Sequence, residues 1–572
     1  MTTTPESRLL ELYDRVAEAP DAIERLRKFV LDLAVRGKLV EQNPEDEPAE
    51  ELLERIAAEK TRLVKAGEIR KPRDLANGNE IEEPFEIPST WRWCRLDTVG
   101  AIIGGGTPAA ADAENFAEPG EGIPWLTPAD LGGYRDLYIE RGKRDLTGKG
   151  LKSSSATMMP AGTVLFTSRA PIGYVAIAAN PISTNQGFKS IVPYSADCSR
   201  FIAVAMRTFA PEIDAKAPGT TFKEVSGKIV AGVPFPLPPL PEQHRIVAKV
   251  DELMTLLDRL ETTRTQRETT HDRLTTASLT RLTAPDSAEN DFLGHARFAL
   301  DNLDQLTSRP DQTKVLRQTI LDLAVRGKLV EQDPAEEPAE ALLNQISEEK
   351  TTLLKAGEIK KPKPLARINA NELPFKLPSG WAWARLDALI DLISGQHLQP
   401  PEYSEDPIVG LPYITGPSDF GTNGLEIRRY ALVRKAVARR GQLLLTVKGS
   451  GVGKATICDL DEVAISRQLM ALTAIAWNPD FLELMADRLA TKLQSEARSL
   501  IPGISREDVT SFVVALPPLA EQHRIVEKLD TLMKMCAKLE VAKTMANTTR
   551  ARLLEVLLHD SLAQDAHNGE AT

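Results

Sequence analysis

The chain repeats itself once over half its length, and that repeat limits the folds it can adopt. Residues 31–72 read LDLAVRGKLVEQNPEDEPAEELLERIAAEKTRLVKAGEIRKP, and residues 321–362 read LDLAVRGKLVEQDPAEEPAEALLNQISEEKTTLLKAGEIKKP, identical at 31 of 42 positions at an offset of 290. The same offset carries EPFEIPSTWRWCRL (83–96) onto LPFKLPSGWAWARL (373–386). A third block, PPLPEQHRIVAKVDELM (238–254), returns as PPLAEQHRIVEKLDTLM (517–533) at offset 279, so the first copy is 11 residues longer in between. Each half therefore has near-identical ends around a divergent middle, whereas a solenoid would show many short periods. At 572 residues, three or four domains are expected from a prior of about 150 residues each.

The repeated ends read as helices. Leu26, Phe29, Val30, Leu33 and Ala34 fall on one helical face within 26–40. Asn43, Pro44 and Pro48 break the chain, 49–65 resumes a helix, and Gly67 fits its C-terminal cap with Pro72 beyond. After PPLPEQHR, the residues Ile246, Val250, Leu253, Leu257 and Leu260 recur at +4, +3, +4, +3, a coiled-coil seam. Ile525, Leu529, Leu532, Cys536 and Leu539 repeat it. Each seam calls for a helix of about 40 residues, or ~60 Å. The two seams either pack on each other or serve as core helices of separate bundles. The middles, roughly 85–236 and 375–515, carry Gly and Pro punctuation and short β-prone runs at 162–167, 173–178 and 442–447, the texture of compact α/β domains. Residues 283–290 (TAPDSAEN) read as a polar linker between the halves.

Hydrophobic residues at 42% and charged residues at 26% exclude disorder as the dominant state. No run approaches a membrane span, and MTTTPESRLLELYDR lacks a signal peptide's layout. Cys94, Cys198, Cys458 and Cys536 lie far apart, so neither a zinc site nor a disulfide framework is indicated, and a reducing cytoplasm is expected. The net charge of −11 at first argues against nucleic acid, but its distribution argues otherwise. The two middles carry nets of +1 and −1, so the helical remainder holds the whole excess of acid. Residues 428–454 hold eight basic residues and no acid, and 141–169 hold six against Asp145 alone. Such patches are the footprint of phosphate contacts, or else solvated faces balanced by acids elsewhere. The acidic helices suit a protein partner better than DNA.

Motifs that would carry catalysis fail on inspection. KGSGVGKAT (448–456) invites a phosphate-loop reading, but Lys448 stands where the first glycine belongs and Ala455 replaces the magnesium-binding hydroxyl. Both copies share a basic residue, Arg169 or Lys448, followed by a small-residue turn containing Gly173 or Gly453, which can approach a phosphate or base edge or can be an ordinary tight hairpin. GGGTP (104–108) is too weak to carry a nucleotide claim, and its partner SGQHLQ (394–399) keeps only Gly395. Asn185–Gln186 and Arg467–Gln468 occupy equivalent places; such side chains read bases in a major groove or hold loops. His244 and His523 suit a role at the helix start, and Trp91, Trp93, Trp381 and Trp383 a core role at the domain entrance. No [ND]-P-P-[YF], HExxH, G-x-S-x-G or Walker pair occurs; QPPE (399–402) and NPDF (478–481) do not satisfy the first.

The layout resembles the specificity (S) subunits of type I restriction–modification enzymes over nearly the full length. The resemblance is carried by LDLAVRGKLVEQ twice, GGGTP, IPWLTPADL (123–131), PAGTVLFTSRAPIGYVAI (160–177), STNQGF (183–188) and PPLxEQHRIVxK twice. It is closest to the subgroup in which the N-terminal helical segment is repeated centrally. The resemblance implies an α/β fold class: two α/β target-recognition domains separated by two long antiparallel coiled-coil helices, in a pseudo-two-fold repeat with repeated helical segments. The corresponding division is a helical segment at 1–82, recognition domain 83–237, central helix 238–283, linker and repeated segment 284–372, recognition domain 373–516, distal helix 517–562 and tail 563–572. Each domain would read one half of a split, asymmetric DNA site, while the helices fix the spacer and dock two methyltransferase (M) subunits and restriction (R) subunits. S-adenosylmethionine would belong to the M subunits and ATP and Mg to the R subunits, with none in this non-catalytic chain.

Phosphate contacts are expected from Arg141, Lys143, Arg144 and Lys152, and from Arg428, Arg429, Arg439 and Arg440. Base-edge or groove contacts are expected from Arg169, Gly173, Tyr174, Asn185 and Gln186, and from Lys448, Gly449, Ser450, Lys454, Arg467 and Gln468. The alternatives are a nucleotide-dependent enzyme using 448–454 and a coiled-coil scaffold without DNA recognition.

Overall fold

The computed structural model describes residues 18–67, 69, 81, 83–219, 223–283, 289–361, 365–406, 410–422, 424–449, 451–496 and 503–563. Most of the linker expected at 283–290 lies outside them. The chain divides into two compact units, 1–266 with 547–572, and 267–546.

The first unit opens with α1 (Ala22–Val35) and α2 (Ala49–Lys65). α2 begins after Pro48 with Glu50 and Glu51 in its first turn, ends with Arg62 and Lys65, and is followed by Gly67 at φ +71°, so its charges complement the helix dipole at both ends. The α/β domain follows. Its ends are tied together by β1 (Arg92–Arg95) paired antiparallel with β11 (Pro234–Leu237). Between them run β2 (Gly100–Gly104), β3 (Phe116–Ala117), β4 (Ile123–Leu126), β5 (Tyr138–Ile139), β6 (Arg144–Leu146), β7 (Val164–Ser168), β8 (Ile172–Ala178), β9 (Ser183–Thr184) and β10 (Lys189–Pro193). They form a sheet of order β2-β10-β7-β8-β5 and a smaller one of order β3-β6-β4-β9. β7 (VLFTS) is buried along its whole length, and α3 (Ser199–Ala215) buries Phe201, Ile202, Met206 and Phe209 in the same core.

The second unit repeats this plan. It contains α5 (Glu289–Asp301), α6 (Pro310–Val325) and α7 (Ala339–Ala356), which follow the long α4 (Leu240–Leu282). Its domain is tied by β12 (Ala382–Arg385) against β24 (Val513–Leu516). β13 (Ile390–Ser394), β14 (Tyr403–Ser404), β15 (Leu411–Ile414), the hairpin β16 (Phe420–Gly421) and β17 (Gly424–Leu425), β18 (Tyr430–Ala431) and β19 (Val437–Arg439) come first. β20 (Leu443–Thr446), β21 (Ala455–Ile457), β22 (Glu462–Ile465) and β23 (Leu469–Ala474) complete the sheets, and α8 (Pro479–Glu496) packs behind. The orders are β13-β23-β20-β21 and β14-β18-β15-β22-β19. The cores are the same and the edges differ: β19 joins β22 in the second unit, whereas β5 joins β8 in the first.

The long helices measure 43 residues for α4 and 45 for α9 (Leu519–Ala563). Of their seam residues, Ile246, Val250, Leu257, Ile525 and Cys536 are buried and the others half-buried. Ile246, Val250 and Leu257 share a core with Val30 and Leu26 of α1, and Ile525 and Leu529 belong to the second unit's core. The far ends pack elsewhere. Leu554, Leu557 and Leu558 of α9 lie with Ala19, Ala22 and Phe29, and Leu279 and Leu282 of α4 lie with Ala299, Leu306 and Leu316. Each long helix thus starts beneath one domain and ends on a repeated helical segment.

The near-identity of the repeated blocks has a physical cause, a buried polar joint built once in each unit. Gln332 Nε2 donates to Gly327 O (2.6 Å) and to Glu521 Oε1 (3.1 Å), Trp381 Nε1 donates to Glu521 Oε2 (2.9 Å), and Arg524 pairs with Glu336. In the first unit Gln42 Nε2 donates to Gly37 O (2.7 Å) and Glu242 Oε1 (3.1 Å), and Arg245 pairs with Asp46 at 2.7 Å. Gly37 (φ +69°) and Gly327 (φ +67°) lie so close to Pro88 and Pro378 that a side chain would collide with the proline ring. Arg36 and Arg326 cover Phe85 and Phe375 at 4.4 and 5.1 Å. VRGKLVEQ, the tryptophan block and PEQHR are therefore three parts of one joint. Trp91 and Trp381 are buried in it, consistent with the core role read from the sequence.

Burial raises the carboxyls of Glu242 and Glu521, each 1% exposed, above the ordinary glutamate value. The folded state therefore holds protons that the unfolded chain has released. The stability these groups contribute is fully present below the ordinary value and is lost as pH rises through the raised ones. Urea unfolding across about pH 5–8 should show the wild type gaining on a Glu242→Gln, Glu521→Gln variant as pH falls. A pH-independent difference would contradict this.

Candidate nucleic-acid interface

In the first domain four strand ends converge. β4 and β9 run parallel, with Trp125 opposite Ser183 and Leu126 opposite Thr184. The chain leaves β4 through a turn held by Asp130, whose Oδ2 accepts from the Thr127 amide and hydroxyl (both 2.7 Å) and whose Oδ1 accepts from the Lys143 amide (3.0 Å). It leaves β9 through Asn185, whose amide donates to Leu126 O (2.8 Å) and whose Oδ1 accepts from Gly187 N (2.8 Å). The end of β7 joins when Ser168 N donates to Gly187 O (2.7 Å), and the end of β2 joins through Gly106 N to Thr184 O (2.9 Å). The Thr107 hydroxyl donates to Gln186 Oε1. Lys143, Arg144 and Gln186 are exposed there, Arg169 is partly so, and Arg144 lies over the Phe116 ring at 4.4 Å.

The second domain builds the same framework with different side chains. β15 and β22 run parallel, the Thr415 amide and hydroxyl donate to Asp419 Oδ2 (both 2.7 Å), and Ser466 N donates to Ile414 O (3.0 Å). Val447 N donates to Gln468 O (2.7 Å), as Ser168 does to Gly187. Arg428 lies 4.0 Å from Asp419, and Arg429 covers the Tyr403 ring at 5.1 Å. The backbone thus equates Lys143 with Arg428, Arg144 with Arg429, Arg169 with Lys448, and Gln186 with Arg467.

This register corrects one expectation. Asn185 corresponds to Ser466, and both side chains accept an amide two residues on, Ser466 Oγ from Gln468 N at 3.1 Å. Asn185 is therefore a turn residue, and Gln468 takes the place of Gly187 rather than of Gln186. Gly105 and Gly395 are small for a packing reason: a side chain would collide with the carbonyls of Asn185 and Ser466.

Other expected contacts are not brought to this place. Arg141 pairs at 3.3 Å with Asp145, a fully buried carboxylate that also accepts from Gly120 N (2.8 Å), so it balances the interior. Lys152 ends the short helix Gly148–Lys152, exposed and without a contact to the cluster. Gly173 lies inside β8 at φ +103° rather than in the turn after Arg169, which is formed by Ala170 and Pro171. Tyr174 lines a separate cleft with Tyr134, Arg135 and Arg207. Arg439 and Arg440 sit at the start of β22, paired with Glu462 (3.7 Å) and Asp461 (2.9 Å), at the opposite end of that strand from Arg467.

Lys448, Gly449 (φ +94°) and Lys454 lie in the connection from β20 to β21, and Ser450 lies outside the described residues. That connection is strand–loop–strand, whereas a phosphate loop leads from a strand into a helix, so the nucleotide reading loses its structural basis. Sequence reasoning missed Thr107, Phe116, Tyr403, Asp130 and Asp419. The only available signal was a threonine three or four residues before an aspartate after each strand. Among the described residues no His, Cys, Asp or Glu group is arranged to hold a metal, and no helix is long and apolar enough to cross a membrane.

Comparison with known proteins gives the family. The family described as "Type I restriction modification DNA specificity domain" matches residues 88–268. The chain is 30% identical to the EcoAI specificity subunit of Escherichia coli over 94% of its own length and 93% of the relative's. It is also 30% identical to the EcoEI specificity subunit of Escherichia coli, over 94% of each. A solved chain described under complex assembly and conformational transition of the type I R-M system superposes at a TM-score of 0.50 with 22% identity, covering 84% of this chain and all of that one, which supports the fold. The chain belongs to the type I restriction enzyme specificity subunits, the DNA-specificity component of these systems and not a catalytic one.

Proposed function

We propose that the chain reads a bipartite, asymmetric DNA site, with residues 83–237 reading one half and 373–516 the other. The observation that carries this is the duplicated cluster. One framework of strand ends presents Lys143, Arg144, Arg169 and Gln186 in the first domain and Arg428, Arg429, Lys448 and Arg467 in the second. Equal frameworks with unequal side chains suit two half-sites of different sequence. Glutamine pairs with adenine and arginine with guanine in the major groove, while lysine supplies a point charge for phosphate. A scaffold that binds only proteins gives no account of this exposed and chemically divergent pair.

The helices α4 and α9 would run antiparallel as a spacer ruler, about 65 Å long at 1.5 Å per residue. Support comes from α9, whose last turns pack on Ala19, Ala22 and Phe29, about 500 residues from its start. The acidic helical surface would dock two M subunits, and R subunits would join them, in the cytoplasm. S-adenosylmethionine would serve the M subunits and ATP and Mg the R subunits, with no cofactor held by this chain.

Arg169→Ala and Arg467→Ala, each in the full chain with M subunits, test the assignment. Each should relax one base position, in different half-sites, by about 1–3 kcal/mol. Relaxation of the same half by both, or of neither, would refute it.

A further inference from the structure

We propose that Glu224 is a specificity-determining positioning residue of the first domain, which holds Arg169 in one orientation so that its guanidinium reads a base edge rather than a phosphate. This rests on the DNA-reading assignment above and adds a residue to it. Arg169 leaves the end of β7 and forms an isolated antiparallel bridge with Glu224, bringing its Nη1 within 3.8 Å of Glu224 Oε2. The other carboxylate oxygen is taken by Lys189, whose Nζ lies 3.5 Å from Oε1 and 3.4 Å from both Ser168 Oγ and Gln186 O. One carboxylate thus joins two cations beside the backbone of Gln186, and the group keeps one net positive charge.

The second domain supplies the comparison. Lys448 occupies the place of Arg169 and bridges Gly503, which stands where Glu224 does. Lys189 pairs with Gly104 in the β2–β10 register, and the matching pair in β13–β23 is Met470 with Ser394, so Met470 stands where Lys189 does. The acid and its balancing base are absent together. Among the described residues Lys448 is exposed and makes no ion pair.

The chemistry of the two cations fits this difference. A guanidinium presents donors in a planar fork, and bidentate pairing with a guanine edge requires that plane to be fixed beforehand. A neighbouring carboxylate biases that plane by charge at 3.8 Å, without a hydrogen bond, so the donors of the fork stay available. An ammonium has no plane to fix and serves phosphate without a guide. The same framework position would therefore read a base in the first domain and position the backbone in the second.

The test uses the full chain with its partner subunits on short duplexes bearing the methylated motif and each single-base variant of it. Glu224→Gln and Arg169→Ala should both relax discrimination at one and the same position of the first half-site, by roughly 5- to 150-fold. Lys448→Ala should weaken every duplex alike and leave discrimination unchanged. If Arg169→Ala relaxes a position and Glu224→Gln does not, the positioning role is overturned and the DNA-reading assignment stands. If Glu224→Gln weakens all duplexes equally, the residue is merely structural and the proposal fails. If Arg169→Ala changes neither discrimination nor affinity, the underlying assignment of Arg169 fails as well.

Discussion

Replacing Trp381 with alanine should lower the stability of the second unit by about 3–5 kcal/mol, the usual cost of removing a large aromatic ring from a packed core. The ring is buried where Gly327, Pro378 and the start of α9 meet, and its Nε1 is one of two donors to the buried Glu521 carboxylate. Alanine therefore removes packing and leaves a buried carboxyl with one hydrogen-bond partner fewer, and the two losses act together. Trp381→Phe separates them. It keeps most of the apolar volume but loses the N–H and part of the indole ring, so its cost should be about 1–3 kcal/mol, mainly the penalty for an under-satisfied buried group. Hydrogen exchange read separately over residues 320–390 and 517–533 should show both stretches loosening together in Trp381→Ala, because they form one joint. Loosening confined to either stretch would contradict that account.

Removing the exposed cations at the strand ends should act on affinity rather than on sequence choice. Lys143→Ala with Arg144→Ala, and Arg428→Ala with Arg429→Ala, each delete two positions that the framework places at the same point of their domains. If each cation neutralises one phosphate, the slope of log affinity against log salt should fall by about 1.8 per double variant, or 0.9 per contact. The methylated motif should not change, since phosphate contacts carry no sequence information. Arg439→Ala with Arg440→Ala is the internal control. It removes equal charge from the same domain, but from the other end of β22; both pairs have acidic neighbours, Arg428 with Glu426 at 2.8 Å and Arg440 with Asp461 at 2.9 Å, so position alone separates them. Its salt slope should match that of the wild type. A fall equal to that of Arg428→Ala with Arg429→Ala would mean that the whole basic stretch faces DNA.

These residues show how far the sequence could be read and where it could not. The repeat announced two equivalent halves, and the ends of α2 at 49 and 65 follow from Pro48 and Gly67 alone, because those residues act locally on the backbone. The joint was visible only as identity between copies. That Gln332, Trp381 and Glu521 touch depends on contacts across nearly 190 residues, which no local pattern encodes. Charge density was misleading in the second domain. Residues 428–454 form one basic run in the sequence, yet Arg428 precedes β18 and Arg439 ends β19, two non-adjacent strands of one sheet, so they end at different places. The shift that equates Gln186 with Arg467 was hidden for a similar reason. Asn185 and Ser466 accept the same amide with different side chains, and only the backbone shows that they correspond.

The central claim is that two domains on one framework read two different half-sites. Single-molecule sequencing of host DNA for methylated adenine, with the gene present and deleted, tests it most directly. The account predicts a motif of two short, unlike halves across a fixed gap, which disappears on deletion and loses definition in one half only when Arg467 is replaced. A continuous or palindromic motif, or one that survives deletion unchanged, would contradict it.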